Sequence, residues 1–290
     1  MRQSDTTISG KTLTPSQKTA LITLLGDEDP AIYKQVRELI LSFGVSASEW
    51  LTKYAGTEDL VLRRRINEII YKLHQEKSDE EFLSFCLKCG DQFNIEKAVF
   101  LLAQTEFPLI EYETYCAQLD NYAHEALQEV LFTRTCLQIV EVLNEIIFER
   151  HHFVPDFDHS TNPELHYINV VLDGKKGNPI TLGLLYLFIG QRLKLPIAPI
   201  TIPGHFLCRI QTSTEEIYID SFNYGTPMSR TDCVHYLVRN NYEIREEYLQ
   251  PVTPKQVLMR LCSSLHRGYA MNDQPERAKQ IQRFLIALAH

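Results

Sequence analysis

Two residues, His205 and Asp220, are placed for acid–base chemistry. His205 lies in an extended run, Ile200–Gln211 (containing PGHFLCRI), and Asp220 in a second, Glu216–Phe222 (EIYIDSF). Side chains alternate along a strand, so register decides which of them share a face. The four-residue polar link TSTE between Gln211 and Glu216 makes the paired residue numbers sum to an odd value. His205 and Asp220 then fall on one side of the sheet, as a base and the group that orients it. The alternative is a buried histidine that closes a hairpin, with Gly204 serving backbone geometry. Cys208, three residues after His205, faces the other way and offers it no thiolate.

A nucleophile partner is sought at a helix N-terminus, where orphan N–H groups and the dipole stabilise a thiolate or an oxyanion. GKKGNPITLGLLYLFIGQRLKLP supplies such a helix. Asn178 caps it, Pro179 takes its first position, and it continues to about Leu193. Its residues are apolar nearly all round, which predicts burial on every side rather than on one face. No cysteine lies within it; Thr181 is the hydroxyl in its first turn. Thr181 is either an early-helix residue bonded to backbone or a nucleophile that His205 deprotonates, with N–H groups near Ile180–Leu182 as the oxyanion site.

The flanking elements are helical. Residues 25–40 overlay residues 55–70 at an offset of thirty, with Gly26/Gly56, Asp29/Asp59, Glu38/Glu68 and Ile40/Ile70 identical and an apolar stripe common to both. Thr14-Pro15 and Asp29-Pro30 read as helix starts. A further helix pair is expected through Phe82–Cys89 and Ile95–Ala103. Stacked helix pairs of this kind resemble HEAT-type repeats, and they read as a brace for the rest of the chain. Helical periodicity resumes from Phe107 to Phe148 and gives way to a polar loop, His151–Glu164. There His151, His152, Asp156, Asp158 and His159 are metal-ligand types without a ligand spacing, so no metal is expected. Cys86 and Cys89 form a lone CxxC that reads as two small buried hydrophobes.

Three blocks, GNPITLGLLYL, PGHFL and IDSFNYG, in this order and spacing, resemble the SirB-type transglutaminase-like proteins of bacteria, a module also found in certain F-box proteins. The likeness runs from about Glu96 to near the C-terminus and includes EFPLIEYETYCAQLDNYA and YINVVL. It implies a papain-like Cys-His-Asp fold in which His205 and Asp220 take the histidine and aspartate positions and Thr181 falls on or beside that of the cysteine. Serine or threonine there is general in this group. Leu165-His166 stands where the family usually shows Asn-Ser. The C-terminal segment is similar to the single tetratricopeptide-like helix pair that closes the family.

The expected fold class is therefore α+β: a flexible tail (1–10), HEAT-like helical repeats (11–105), a transglutaminase-like domain with a buried helix on a small antiparallel sheet (106–250), and a helical hairpin (251–290). Asn178, Gly204 and Asn223 are expected around the Thr181–His205–Asp220 pocket. The expected role is non-catalytic binding or regulation with a protein or peptide partner, and the alternative is a hydrolase or acyltransferase for amides or esters. Of 290 residues, 44% are hydrophobic and 23% charged, ordinary for a globular chain. Acidic residues outnumber basic ones 37 to 29, opposite to what a nucleic-acid binder needs. No apolar run reaches membrane-spanning length. GKKGNP lacks the phosphate-loop pattern, and no cofactor is expected. Seven cysteines at irregular spacing read as reduced thiols in a cytoplasmic setting.

Overall fold

The computed structural model describes residues 13–130, 135–158 and 162–290. The expected tail over 1–10, and His159, lie outside these residues. The chain divides into two compact units after Asp79. In the first, Thr14 forms a capping box with Gln17 ahead of α1 (Pro15–Leu25), and Asp29 caps α2 (Pro30–Leu41) through the Ala31 N–H. After α3 (Ser46–Leu51), Asp59 repeats that role for α4 (Leu60–Lys88), accepting from the Val61 and Leu62 N–H groups at 2.9 and 3.1 Å. The thirty-residue offset is thus a repeat of caps and of an apolar stripe, for Val36 and Ile40 share one cluster with Ile66 and Ile70. Contrary to expectation, Phe82–Cys89 does not start a new helix pair, because α4 runs unbroken to Lys88. The stretch from Tyr71 to Glu81 contains no glycine or proline to stop it.

The second unit has α+β architecture. Around α9 (Pro179–Arg192) gather α5 (Ile95–Glu106), α6 (Tyr112–Glu129), α7 (Cys136–Asn144) and α8 (Ile168–Gly174), all contributing to one apolar cluster. A two-residue parallel pair, β1 (Val154–Pro155) with β2 (Lys176–Gly177), flanks α8. Every residue of α9 from Ile180 to Gly190 is buried, as its lack of a polar face requires. At its C-terminal end Arg192 reaches the buried Glu96 of α5 through both terminal nitrogens, at 2.5 and 2.9 Å, and Asp120 of α6 through Nε at 2.6 Å. Glu96 also accepts from the Tyr112 hydroxyl at 3.2 Å and the Cys116 thiol at 3.3 Å.

The sheet is fully antiparallel, in the order β3 (Ile197–Ile202), β4 (His205–Gln211), β5 (Glu216–Asp220), β6 (Thr226–Met228). The run expected as one strand, Ile200–Gln211, is broken into two. Ile202 pairs with His205 across the two-residue turn Pro203-Gly204, with Gly204 at φ +77°. Proline followed by a residue of positive φ is the signature of a type II turn. The two sheet faces bury different partners. Phe206, Cys208, Ile210 and Ile219 join the cluster of α9, while Ile200, Ile202, Leu207 and Tyr218 pack with Cys233 and Leu237 of α10 (Arg230–Arg239). A hairpin of α11 (Pro254–Met271) and α12 (Pro275–Ala289) completes the unit.

Gly183 sets how closely α9 approaches the sheet. A Cβ there collides with the Phe206 ring, and the Gly183 carbonyl accepts from the Cys208 thiol at 3.2 Å. Gly183→Ala is therefore expected to destabilise the protein by about 1–3 kcal/mol, the usual penalty for overpacking a dense core. An unchanged urea midpoint refutes that contact.

Candidate functional site

The structure brings His205 and Asp220 together. Gln211 pairs with Glu216 and Cys208 with Ile219, so Leu207 is level with Asp220 and His205 sits one step diagonally along the same face. His205 Nε2 lies 2.8 Å from Asp220 Oδ1, and that carboxylate oxygen also accepts the Phe222 and Asn223 N–H groups at 3.1 Å each. An ionised carboxylate only accepts, so Nε2 carries the shared proton and the backbone turn after β5 fixes the pair. The imidazole stacks on Tyr236 of α10 at 5.7 Å between centroids.

It does not bring Thr181 to them. Thr181 is fully buried; its Oγ1 donates to the Leu165 carbonyl at 3.1 Å and accepts from the Asn178 N–H at 3.0 Å. Asn178 Oδ1 in turn accepts the Ile180 and Thr181 N–H groups at 2.9 and 3.0 Å, and the Leu182 N–H goes to the Asn178 carbonyl at 3.0 Å. The mouth of α9 is a closed capping box. None of the three N–H groups expected near an oxyanion is free. Along β4, α9 packs on the even-numbered side chains and α10 on the odd-numbered ones, but at the start of the strand the first turn of α9, Pro179 and Ile180, lines one cavity with His205.

Asn178, Gly204 and His205 meet in a cavity of about 370 Å³, closed by α11 on its far side. Gly204 has a local reason to be glycine beyond its φ, since a Cβ there stands 2.9 Å from the Tyr242 hydroxyl and 3.2 Å from that of Tyr236. Asn223 is exposed and contributes its backbone N–H behind Asp220 rather than a wall of the cavity.

Sequence reasoning missed the α11 wall: Arg260, Ser264 and Arg267. Their spacing of four and three puts them on one helix stripe, alongside the core-facing Val257, Leu258, Leu261 and Leu265. Polar residues on an otherwise amphipathic helix read as solvent-facing, which is why the stripe carried no signal. His166 was likewise unassigned. It is buried, with Nδ1 at 3.2 and 3.3 Å from the Asn162 and Pro163 carbonyls and Nε2 at 2.8 Å from Ser264 Oγ. Carbonyls only accept, so Nδ1 holds the proton and Nε2 accepts from the serine. Burial drives this imidazole down to about 4, and it is neutral at neutral pH.

The loop of metal-ligand types is otherwise engaged. His151 Nε2 is 2.9 Å from Glu125 and its ring lies 4.0 Å from that of Tyr122, while His152 and Asp158 are exposed. Among the described residues no group of three or more His, Cys, Asp or Glu side chains converges. All seven cysteines are free, with burial raising Cys86 and Cys208 to about 12. Among the described residues no helix is long and apolar enough to cross a membrane.

A buried helix packed on an antiparallel sheet, with a His-Asp pair on neighbouring strands, defines a transglutaminase-like domain. The family described as the transglutaminase-like superfamily matches residues 113–263, and the chain belongs to it. It is 26% identical over 184 residues to a UPF0162 protein of Xylella fastidiosa, an alignment covering 61% of this chain and 66% of that protein. A UPF0162 protein of Pseudomonas aeruginosa is 27% identical over 137 residues, covering 46% of this chain and 50% of that one. F-box only protein 21 of Mus musculus is 28% identical over 136 residues, 44% of this chain and 21% of its own length. The chain thus spans about two thirds, or less, of the relatives it matches. No solved structure matches it.

Proposed function

We propose that the chain is a non-catalytic binding or regulatory protein of SirB type, whose domain retains the His205–Asp220 pocket without a nucleophile and receives a protein or peptide partner. The closed capping box at the mouth of α9 carries this reading. A hydroxyl stays protonated at neutral pH and attacks only with a base in hydrogen-bond reach, and here its bonds run to Asn178 and Leu165 instead. Thr181, His205 and Asp220 are in this view the remnant of a catalytic frame that now shapes a ligand site. Of the span expected as HEAT-like, 11–105, we keep that reading for the helices of the first unit, since α5 joins the cluster of α9, and we read the pair within 251–290 as tetratricopeptide-like; both are suited to protein contacts. Seven free thiols favour a reducing, cytoplasmic setting.

Thr181→Cys tests the reading with a thiol-reactive peptide electrophile. The expected result is no labelling above that of Thr181→Ala, which reports the seven native thiols. Labelling at position 181 that disappears with His205→Ala means that the catalytic geometry survives, and it overturns the proposal in favour of an acyl-transfer enzyme.

A further inference from the structure

The cavity between His205 and α11 has an unusual charge balance. Arg260 and Arg267 both line it, and no aspartate or glutamate does, in a chain whose net charge is −8. Neither guanidinium makes an ion pair among the described residues. The other arginines of this unit that are not exposed differ from Arg260: Arg192 holds Glu96 and Asp120, Arg209 holds Glu216, and Arg277 holds Glu106. Arg260 is in addition half-buried, and its Nε–H is buried with no hydrogen-bond partner. Burial and then the charge of Arg267 push Arg260 below its ordinary value, against a weaker pull from Tyr242 and Tyr236. A desolvated donor beside a like charge is costly unless something anionic joins it.

We propose that this cavity is an oxyanion-binding site, in which Arg260 and Arg267 clamp a carboxylate or phosphate group presented by the peptide partner. The proposal rests on the non-catalytic binding role and specifies its ligand. Guanidinium groups present paired donors that match carboxylate and phosphate oxygens, and such charge-assisted bonds are the strong ones. The volume, about 370 Å³, admits an acidic side chain or a chain terminus but no folded domain. The surroundings fit a recognition pocket rather than a reactive one. Asn178 is saturated by the capping box, Ser264 is bonded to the neutral His166, and His205 is held from behind by Asp220.

The test titrates the full chain with inorganic phosphate, with glutarate and with uncharged glutaramide, at constant ionic strength set with chloride so that general screening is matched. Binding is read as a rise in Tm and as a shift of the Arg260 Nε–H resonance in 15N-resolved NMR. Saturable binding of phosphate or glutarate, and none of glutaramide, is the expected result; which anion binds more tightly distinguishes a phosphate from a carboxylate. The exposed Arg267→Gln is expected to weaken binding roughly ten- to a hundred-fold, the worth of one charge-assisted contact. Arg260→Gln is expected to abolish it, whereas Arg245→Gln, outside the cavity, leaves it unchanged. Should Arg260→Gln fold poorly, Arg267→Gln decides alone. No saturable response to either anion, or an undiminished response in Arg267→Gln, overturns the proposal. Because labelling of Thr181→Cys is scored separately, loss of the oxyanion site leaves the non-catalytic reading standing, and the reverse.

Discussion

Replacing Glu96 by alanine is expected to destabilise the second unit by about 3–5 kcal/mol, because it breaks a buried, multiply bonded ion pair from one side. Glu96 sits under α9 and receives both terminal nitrogens of Arg192 together with the Tyr112 hydroxyl and the Cys116 thiol. Its removal takes the acceptor away from these four donors, although Arg192 keeps Asp120 through Nε and the Phe188 carbonyl through Nη1. The reciprocal variant behaves differently. In Arg192→Ala the buried carboxylate loses the guanidinium but keeps the Tyr112 hydroxyl and the Cys116 thiol as donors. A double variant, Glu96→Ala with Arg192→Ala, is expected to be less destabilised than the sum of the singles, because neither charge is then left buried without the other. Equilibrium urea unfolding of the three proteins measures this. Additive losses mean that the pair is not coupled and that α9 is anchored by packing alone.

Acidification supplies the second large effect, through His166. Its folded value of about 4 lies below the ordinary 6.5 of an unfolded histidine. Between those values the unfolded chain binds a proton that the folded chain refuses, so stability increases with pH in that window. The contribution of the neutral imidazole is whole above about pH 6.5 and is lost as the pH falls towards 4, by roughly 3 kcal/mol in all. His166→Asn removes the titration while retaining a side chain that can both donate and accept. Other groups titrate over the same range, so the informative quantity is the difference between wild type and variant. That difference is expected to change by roughly 3 kcal/mol from pH 7 to pH 4, and a constant offset refutes it.

The features legible in the sequence are those governed by local rules. Asn178-Pro179 marked the start of α9 and its all-round apolarity marked its burial. The four-residue link after Gln211 gave the register that joins His205 to Asp220, and both hold to the residue. Pro203-Gly204 carried an equally local turn signal that the extended reading of Ile200–Gln211 passed over. What could not be read is how elements meet. Periodicity places Thr181 and His205 near the ends of a helix and a strand, but says nothing of which sheet face that helix covers. The even-numbered face of β4 went to α9 because Gly183 leaves room for Phe206, a fit visible only once both are placed. The basic stripe on α11 was hidden for the same reason: the surface it presents is an interior wall only in the assembled unit.

The total burial of α9 has a consequence for how the chain is made. A segment with no polar side has nothing to offer water, and its cover comes partly from β3 and β4, downstream of it. While the ribosome has delivered α9 but not those strands, eleven consecutive residues from Ile180 to Gly190 emerge with part of their wrapping unsynthesised. Such a segment is what chaperones that bind apolar peptides recognise, so the helix at the centre of the finished domain is also the part of the nascent chain most in need of custody.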